Sequence, residues 1–236
     1  MSYFAFLALT PLSDFFQAIP FSYMALFPVL NPLGCALIFL TLTIGAPDAV
    51  LKTLCKRIAI NTFILLAVVL LIGTYILSFF GITVAIVQVA GGIVVAYIGW
   101  SLLNQAPDTT SGGSNVAENP SEIKKSLLDK AFYPLTMPIT AGPGCIAVTL
   151  TIGAHETSSG YHATLLGQCG AAVGIMLCAA TVFLCYRYAQ RITTKLGENG
   201  THVIMRLSAF INFCIGLQIT WHGIVSLIRS VNHFHA

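Results

Sequence analysis

The chain has 236 residues, of which 56% are apolar and only 8% charged, with a formal net charge of +3. That ratio excludes a soluble globular core and describes a protein whose solvent is mostly lipid. It also excludes an extended basic surface for nucleic acid, so the 11 lysines and arginines serve instead as signals of membrane topology.

Residues 1–20 form an apolar extension. It lacks the positive start of a signal peptide and carries Asp14, Phe15, Phe16 and Gln17 where a cleavage site would fall, so it is expected to be retained. Pro11 and Pro20 predict that it makes no uninterrupted span, but lies in the outer interface or dips back between helices. Six apolar runs follow, at residues 21–44, 58–80, 83–103, 127–152, 163–188 and 203–228. Each approaches or exceeds the roughly 20 residues that cross a hydrocarbon layer as helix. The fold class expected is all-α: a polytopic membrane protein with six transmembrane helices.

Lys52, Lys56 and Arg57 follow the first run, Lys124, Lys125 and Lys130 surround the third-to-fourth connection, and Arg187, Arg191, Lys195 and Arg206 flank the fifth-to-sixth. Arg229 alone falls on the other side. The positive-inside bias makes those three connections cytoplasmic and both termini periplasmic.

Thr-Leu-Thr-Ile-Gly-Ala occurs twice, at residues 41–46 and 149–154. Pro28 matches Pro138 upstream, and Gly34-Cys35 matches Gly144-Cys145 at the same offset; a two-residue gap then aligns the hexapeptides. The chain therefore reads as residues 1–104, the extension plus a first three-helix repeat; 105–126, a cytoplasmic linker rich in Pro, Gly, Ser, Asn and Asp; and 127–236, a second repeat. Three helices are an odd number, so the second copy enters the membrane in the opposite direction: an inverted-topology repeat with broken first and fourth helices. Secondary transporters of this kind bind at the midplane, on discontinuous helices in corresponding positions of the halves.

The breaks have a chemical cause. Pro32 and Pro143 lack an N–H and clash with the preceding turn, while Gly34, Gly142 and Gly144 accept backbone angles that other residues resist. The freed amides and carbonyls are costly in hydrocarbon, and persist only inside protein or along a wet cavity. Amides at a half-helix start attract an anionic group and carbonyls at a half-helix end a cation, which suits a zwitterion. Asn31 and Thr140, beside the breaks, are expected to line the pathway, together with Thr41 and Thr149 from the repeated hexapeptides. Asn61, Gln88, Asn212 and Gln218 read as hydrogen-bond glue between helices, and Gly91, Gly92 and Gly99 as close-packing positions. No acidic residue falls well inside a span, which disfavours a carboxylate proton relay; His222 is the candidate coupling residue, against the alternative of an interfacial histidine beside Trp221.

No enzyme is expected. His155-Glu156 lacks the second histidine of a zinc protease, and neither a Gly-x-Ser-x-Gly elbow nor a Walker loop occurs. The seven cysteines, with no Cys-x-x-Cys pair, read as apolar packing, and His233 with His235 is too small a set to hold a metal. No cofactor or metal is expected.

Asn31-Pro32-Leu33-Gly34, the run from Pro138 to Gly144, Gly91-Gly92 in the third span and six spans overall resemble the MarC family of bacterial inner-membrane proteins. The family name reflects an association with multiple antibiotic resistance. Through the related LysE-type exporters and members assigned to small neutral amino acids, the resemblance implies a transporter of an amino acid or similar metabolite. Its partners would be the lipid bilayer, a small solute, and Na+ or H+ as coupling ion. The extension and the loop at residues 108–119 depart from the family pattern. A structural or assembly role is the alternative, in which the breaks would serve only packing.

Overall fold

The computed structural model describes residues 2–104, 127–156 and 161–233, and everything described is helix or short connection. The linker expected at residues 105–126 lies outside the described residues, as does His235.

The first helix, α1 (Ser2–Leu30), passes through Pro11 and Pro20 without a break. This corrects the expectation that those prolines interrupt it: residues 14–20 continue directly into the first span. The turn before Pro20 packs closely against a later helix. Ala18 is buried, and Gly170 and Gly174 of a later helix leave room for the α1 backbone at Phe15 and Ile19. A Cβ on Gly174 would stand 2.7 Å from the Ile19 carbonyl.

After Asn31 comes α2 (Pro32–Leu42), bent 42° from α1. Then follow α3 (Asp48–Phe79), α4 (Val84–Asn104), α5 (Ala131–Thr140) and α6 (Pro143–Glu156), the last two bent by 70°. A final helical run, Tyr161–His233, is divided by Gly197 (φ 68°) into α7 (Leu165–Gly197) and α8 (Asn199–Ser230). Positive φ is a region glycine enters without steric cost. The loop expected between residues 188 and 203 is thus mostly helix, carrying Arg187, Arg191 and Lys195 beyond the apolar stretch. Among the described residues four helices are long and apolar enough to cross a membrane, and six spans result if each bent pair counts as one.

Small residues bring the helices together, as they do where lipid supplies no hydrophobic drive. Gly92, Gly99, Gly216 and Gly223 line the α4–α8 crossing, where a Cβ on Gly216 would fall 2.7 Å from the Gly92 carbonyl. Gly153 of α6 meets α3 in the same way, 2.8 Å from the Leu70 carbonyl. Two apolar clusters fill the interior. One joins Phe39, Leu54, Ile58, Leu135, Val182 and Tyr186, among residues flanked in sequence by Lys52, Lys56, Arg57, Lys130, Arg187 and Arg191. The other joins Leu26, Leu30, Leu66, Leu70, Cys145 and Ile175. The outer surface carries exposed Ile64, Val68, Leu71, Ile72, Met176 and Leu184, side chains suited to contact with acyl chains.

The duplicated hexapeptide adopts two conformations. In α6 residues 149–154 are helical throughout; after α2, Thr41 and Leu42 end the helix and residues 43–45 form a turn, with Gly45 at φ 80°. Pro47 explains the difference, since a proline disfavours helix at the preceding residue, Ala46, whereas Ala154 is followed by His155.

Candidate functional site

Each break is a helix N-terminus built by a proline. Pro32 takes the first position of α2, where its missing N–H would be unpaired in any case. Asn31 caps the helix from a left-handed backbone (φ 42°, ψ 60°), a region asparagine tolerates better than most residues. Its Oδ1 accepts from the Gly34 N–H at 3.2 Å, and its carbonyl accepts from the Cys35 N–H at 3.0 Å. Gly34 is required by this arrangement, because a Cβ there would run into the Asn31 amide.

At the second break Pro143 opens α6, and the Gly142 carbonyl accepts from the Cys145 and Ile146 N–H groups at 3.0 and 3.3 Å. Gly142 thus occupies the cap position that Asn31 holds in α2, one register off the letter-by-letter match of Gly34 with Gly144. The preceding α5 is irregular over its whole length, more than a break at residues 140–144 would predict. Tyr133 and Met137, each before a proline, are extended, and wide turns close through Leu135 N–H to Lys130 O and Ala141 N–H to Thr136 O. Thr136 and Thr140 satisfy freed carbonyls by donating to Ala131 O and Leu135 O at 2.7 and 2.6 Å.

The two breaks meet. The Cys35 thiol donates to Leu30 O at the end of α1 (3.4 Å) and to Ile139 O of α5 (3.2 Å). Thr140 Oγ1 lies 2.7 Å from the hydroxyl of Tyr186, whose ring stacks on Phe39 at 4.8 Å between centroids. The cysteine reading as simple apolar packing therefore misses Cys35, which ties one break to the other.

Between the breaks lies a cavity of about 250 Å³. Asn31, Gly34 and Cys35 form one wall; Thr140, Gly142, Pro143, Gly144 and Cys145 form another; Val95, Ile98 and Leu102 of α4 and Met205 and Asn212 of α8 complete it. Among the described residues no charged side chain lines it. Of the residues expected on the pathway, Pro32, Thr41 and Thr149 do not reach this cavity. Pro32 is buried at the start of α2; Thr41 is exposed and donates to Ile38 O; Thr149 is fully buried and donates to Cys145 O. Both threonines bond their own helix, the usual resort of a hydroxyl in an apolar medium.

His222 lines a second cavity, of about 180 Å³, with Phe21, Ala25, Gln88, Thr151 and Ile219. It pairs with Gln218 one turn earlier at 3.0 Å. Val29 lines both cavities. Of the four amides read as interhelical glue, Gln88 alone bridges helices among the described residues, donating to Thr151 Oγ1 at 2.9 Å. Asn212 is the correction: it is 7% exposed and its Oδ1 has no partner among the described residues. No group of three or more metal-ligating side chains occurs among them.

A family model described as MarC family integral membrane protein matches residues 16–228. The chain belongs to the MarC family. It is 34% identical to the UPF0056 membrane protein YvbG of Bacillus subtilis (strain 168), over 89% of this chain and 95% of that one. It is 27% identical to the UPF0056 inner membrane protein MarC of Salmonella paratyphi A and 29% identical to that of Escherichia coli O1:K1, in each case over 92% of this chain and 98% of the relative. No solved structure matches. The family match spans both helix breaks, so the cavity lies wholly within the part of the chain that this MarC family member shares with the family model.

Proposed function

We propose that the chain is a secondary transporter of the bacterial inner membrane rather than an enzyme. In this reading it moves small neutral amino acids or similar metabolites by alternating access, with the two three-helix halves related as an inverted repeat. One observation carries it: two proline-opened half-helices, far apart in sequence, converge on one cavity with no charged side chain among the described residues that line it. A protein using the breaks only for packing would fill that space with side chains. The cavity volume suits a solute of a few heavy atoms, and its walls lack the aromatic surface that a large hydrophobic drug would need. The relatives named as inner membrane proteins support the location, and the lysines and arginines support cytoplasmic connections and periplasmic termini.

Uptake of labelled glycine, alanine, serine and threonine into liposomes carrying the purified protein, with Na+ and proton gradients imposed separately, tests this reading. Saturable uptake of at least one solute, driven by one gradient, is expected. Folded protein that moves none of them would overturn it.

A further inference from the structure

We infer that Asn212 Oδ1 is the solute-binding acceptor of the cavity, taking a hydrogen bond from an N–H donor on the solute; this rests on the transport reading above. The other side-chain oxygens and the Cys35 thiol on the cavity are already committed. Asn31 Oδ1 holds the Gly34 amide, Thr140 Oγ1 is engaged with Leu135 O and Tyr186, and the Cys35 thiol is engaged with two carbonyls. Asn212 lines the same cavity, and its Oδ1 is buried with no protein donor among the described residues. A buried amide oxygen without a donor is unfavourable, and replacing such a group by an apolar one of similar size tends to stabilise a protein. Its presence therefore points to a partner that comes and goes. With no charged side chain on the walls among the described residues, the partner carries little net charge. At the opening turn of α6, which lines the same space, Pro143 has no N–H and Cys145 and Ile146 bond back to the Gly142 carbonyl, which leaves the Gly144 amide and the helix dipole to favour an anionic end. A solute bearing an ammonium at one end and a carboxylate at the other satisfies both.

The test compares purified wild type with Asn212→Leu and Asn212→Asp, using glycine and trimethylglycine as probes. Trimethylglycine keeps both charges but has no N–H. Wild type is expected to bind glycine at least about tenfold more tightly than trimethylglycine, the usual weight of one hydrogen bond to a charged group. Asn212→Leu should lose glycine binding while melting at or above the wild-type temperature, and Asn212→Asp, which keeps an acceptor, should retain it. Glycine binding unchanged in Asn212→Leu, or lost in Asn212→Asp, would overturn the inference and leave the transport reading standing. A lowered melting temperature for Asn212→Leu would also overturn it, by showing structural glue. Wild type that binds neither probe and transports no amino acid would remove the reading and the inference together.

Discussion

Asn31 holds a left-handed backbone and caps α2 with the same side chain, so two properties of asparagine are in use at one position. Substitutions separate them. Asn31→Ala loses the cap and suffers the positive φ, and should destabilise the protein by about 1–2 kcal/mol. Asn31→Gly keeps the backbone and loses only the side-chain bond, so its cost should be a few tenths of a kcal/mol. Thermal melts in detergent check the order; equal losses would show that the left-handed backbone contributes nothing. Solute uptake by Asn31→Ala should fall at unchanged expression, because the same side chain lines the cavity. The sequence made Asn31, Gly34, Thr140, Gly142 and Gly144 legible as residues at the two breaks, where they line the cavity, since proline and glycine write backbone exceptions directly into the letters. Asn212 was not legible. An asparagine inside an apolar helix reads the same whether it bridges two helices or faces a cavity, and only the neighbours decide.

At the scale of elements, the irregular α5 is held by side chains where regular bonds fail. Tyr186 supports Thr140 through its hydroxyl and packs through its ring on Phe39. Tyr186→Phe keeps the stacking and removes the hydrogen bond, so a loss of about 1 kcal/mol is expected. An unchanged melting temperature would show that α5 holds its shape without the hydroxyl. The α4–α8 crossing behaves differently, because backbone meets backbone there. Gly216→Leu would push a side chain into Ala96 and the Gly92 carbonyl, which a flexible neighbour cannot relieve, and should prevent assembly of a stable fold. Recovery of normally melting protein would show that the helices can separate. Gly92 and Gly99 were readable in the sequence as close-packing positions, whereas the residues they meet, Gly216 and Thr220 for one and Ala209 and Phe213 for the other, lie 110 or more positions away and were not.

Over the whole molecule, the two cavities share a wall at Val29. Val29 and Val95 methyls both lie over Gly144, where a Cβ would stand 3.3 Å from Val29 Cγ1 and collide with Val95. In the transport reading these side chains form the barrier between an inner and an outer compartment. A cysteine reporter, Met205→Cys in an otherwise cysteine-free chain, should react with a membrane-impermeant thiol reagent from one face only. Adding Val29→Ala should open reaction from the other face as well. Labelling that stays one-sided would locate the barrier elsewhere. Gly144→Leu, which fills this point, should block solute movement, and normal uptake by that variant would remove the breaks from the pathway.

The letters alone established an all-helical membrane protein, the two places where its helices break and the family resemblance. Each follows from local chemistry: apolar composition, span length, and the missing N–H of proline. Tertiary structure decided the rest. It packed the stretch of α1 before Pro20 against a later helix and withdrew Thr41 and Thr149 from the cavity. It also placed Asn212 on that cavity with its buried oxygen unpaired among the described residues. These outcomes depend on which surfaces meet, and a contact between residues more than 100 positions apart, such as Cys35 with Ile139, is not encoded in either segment alone.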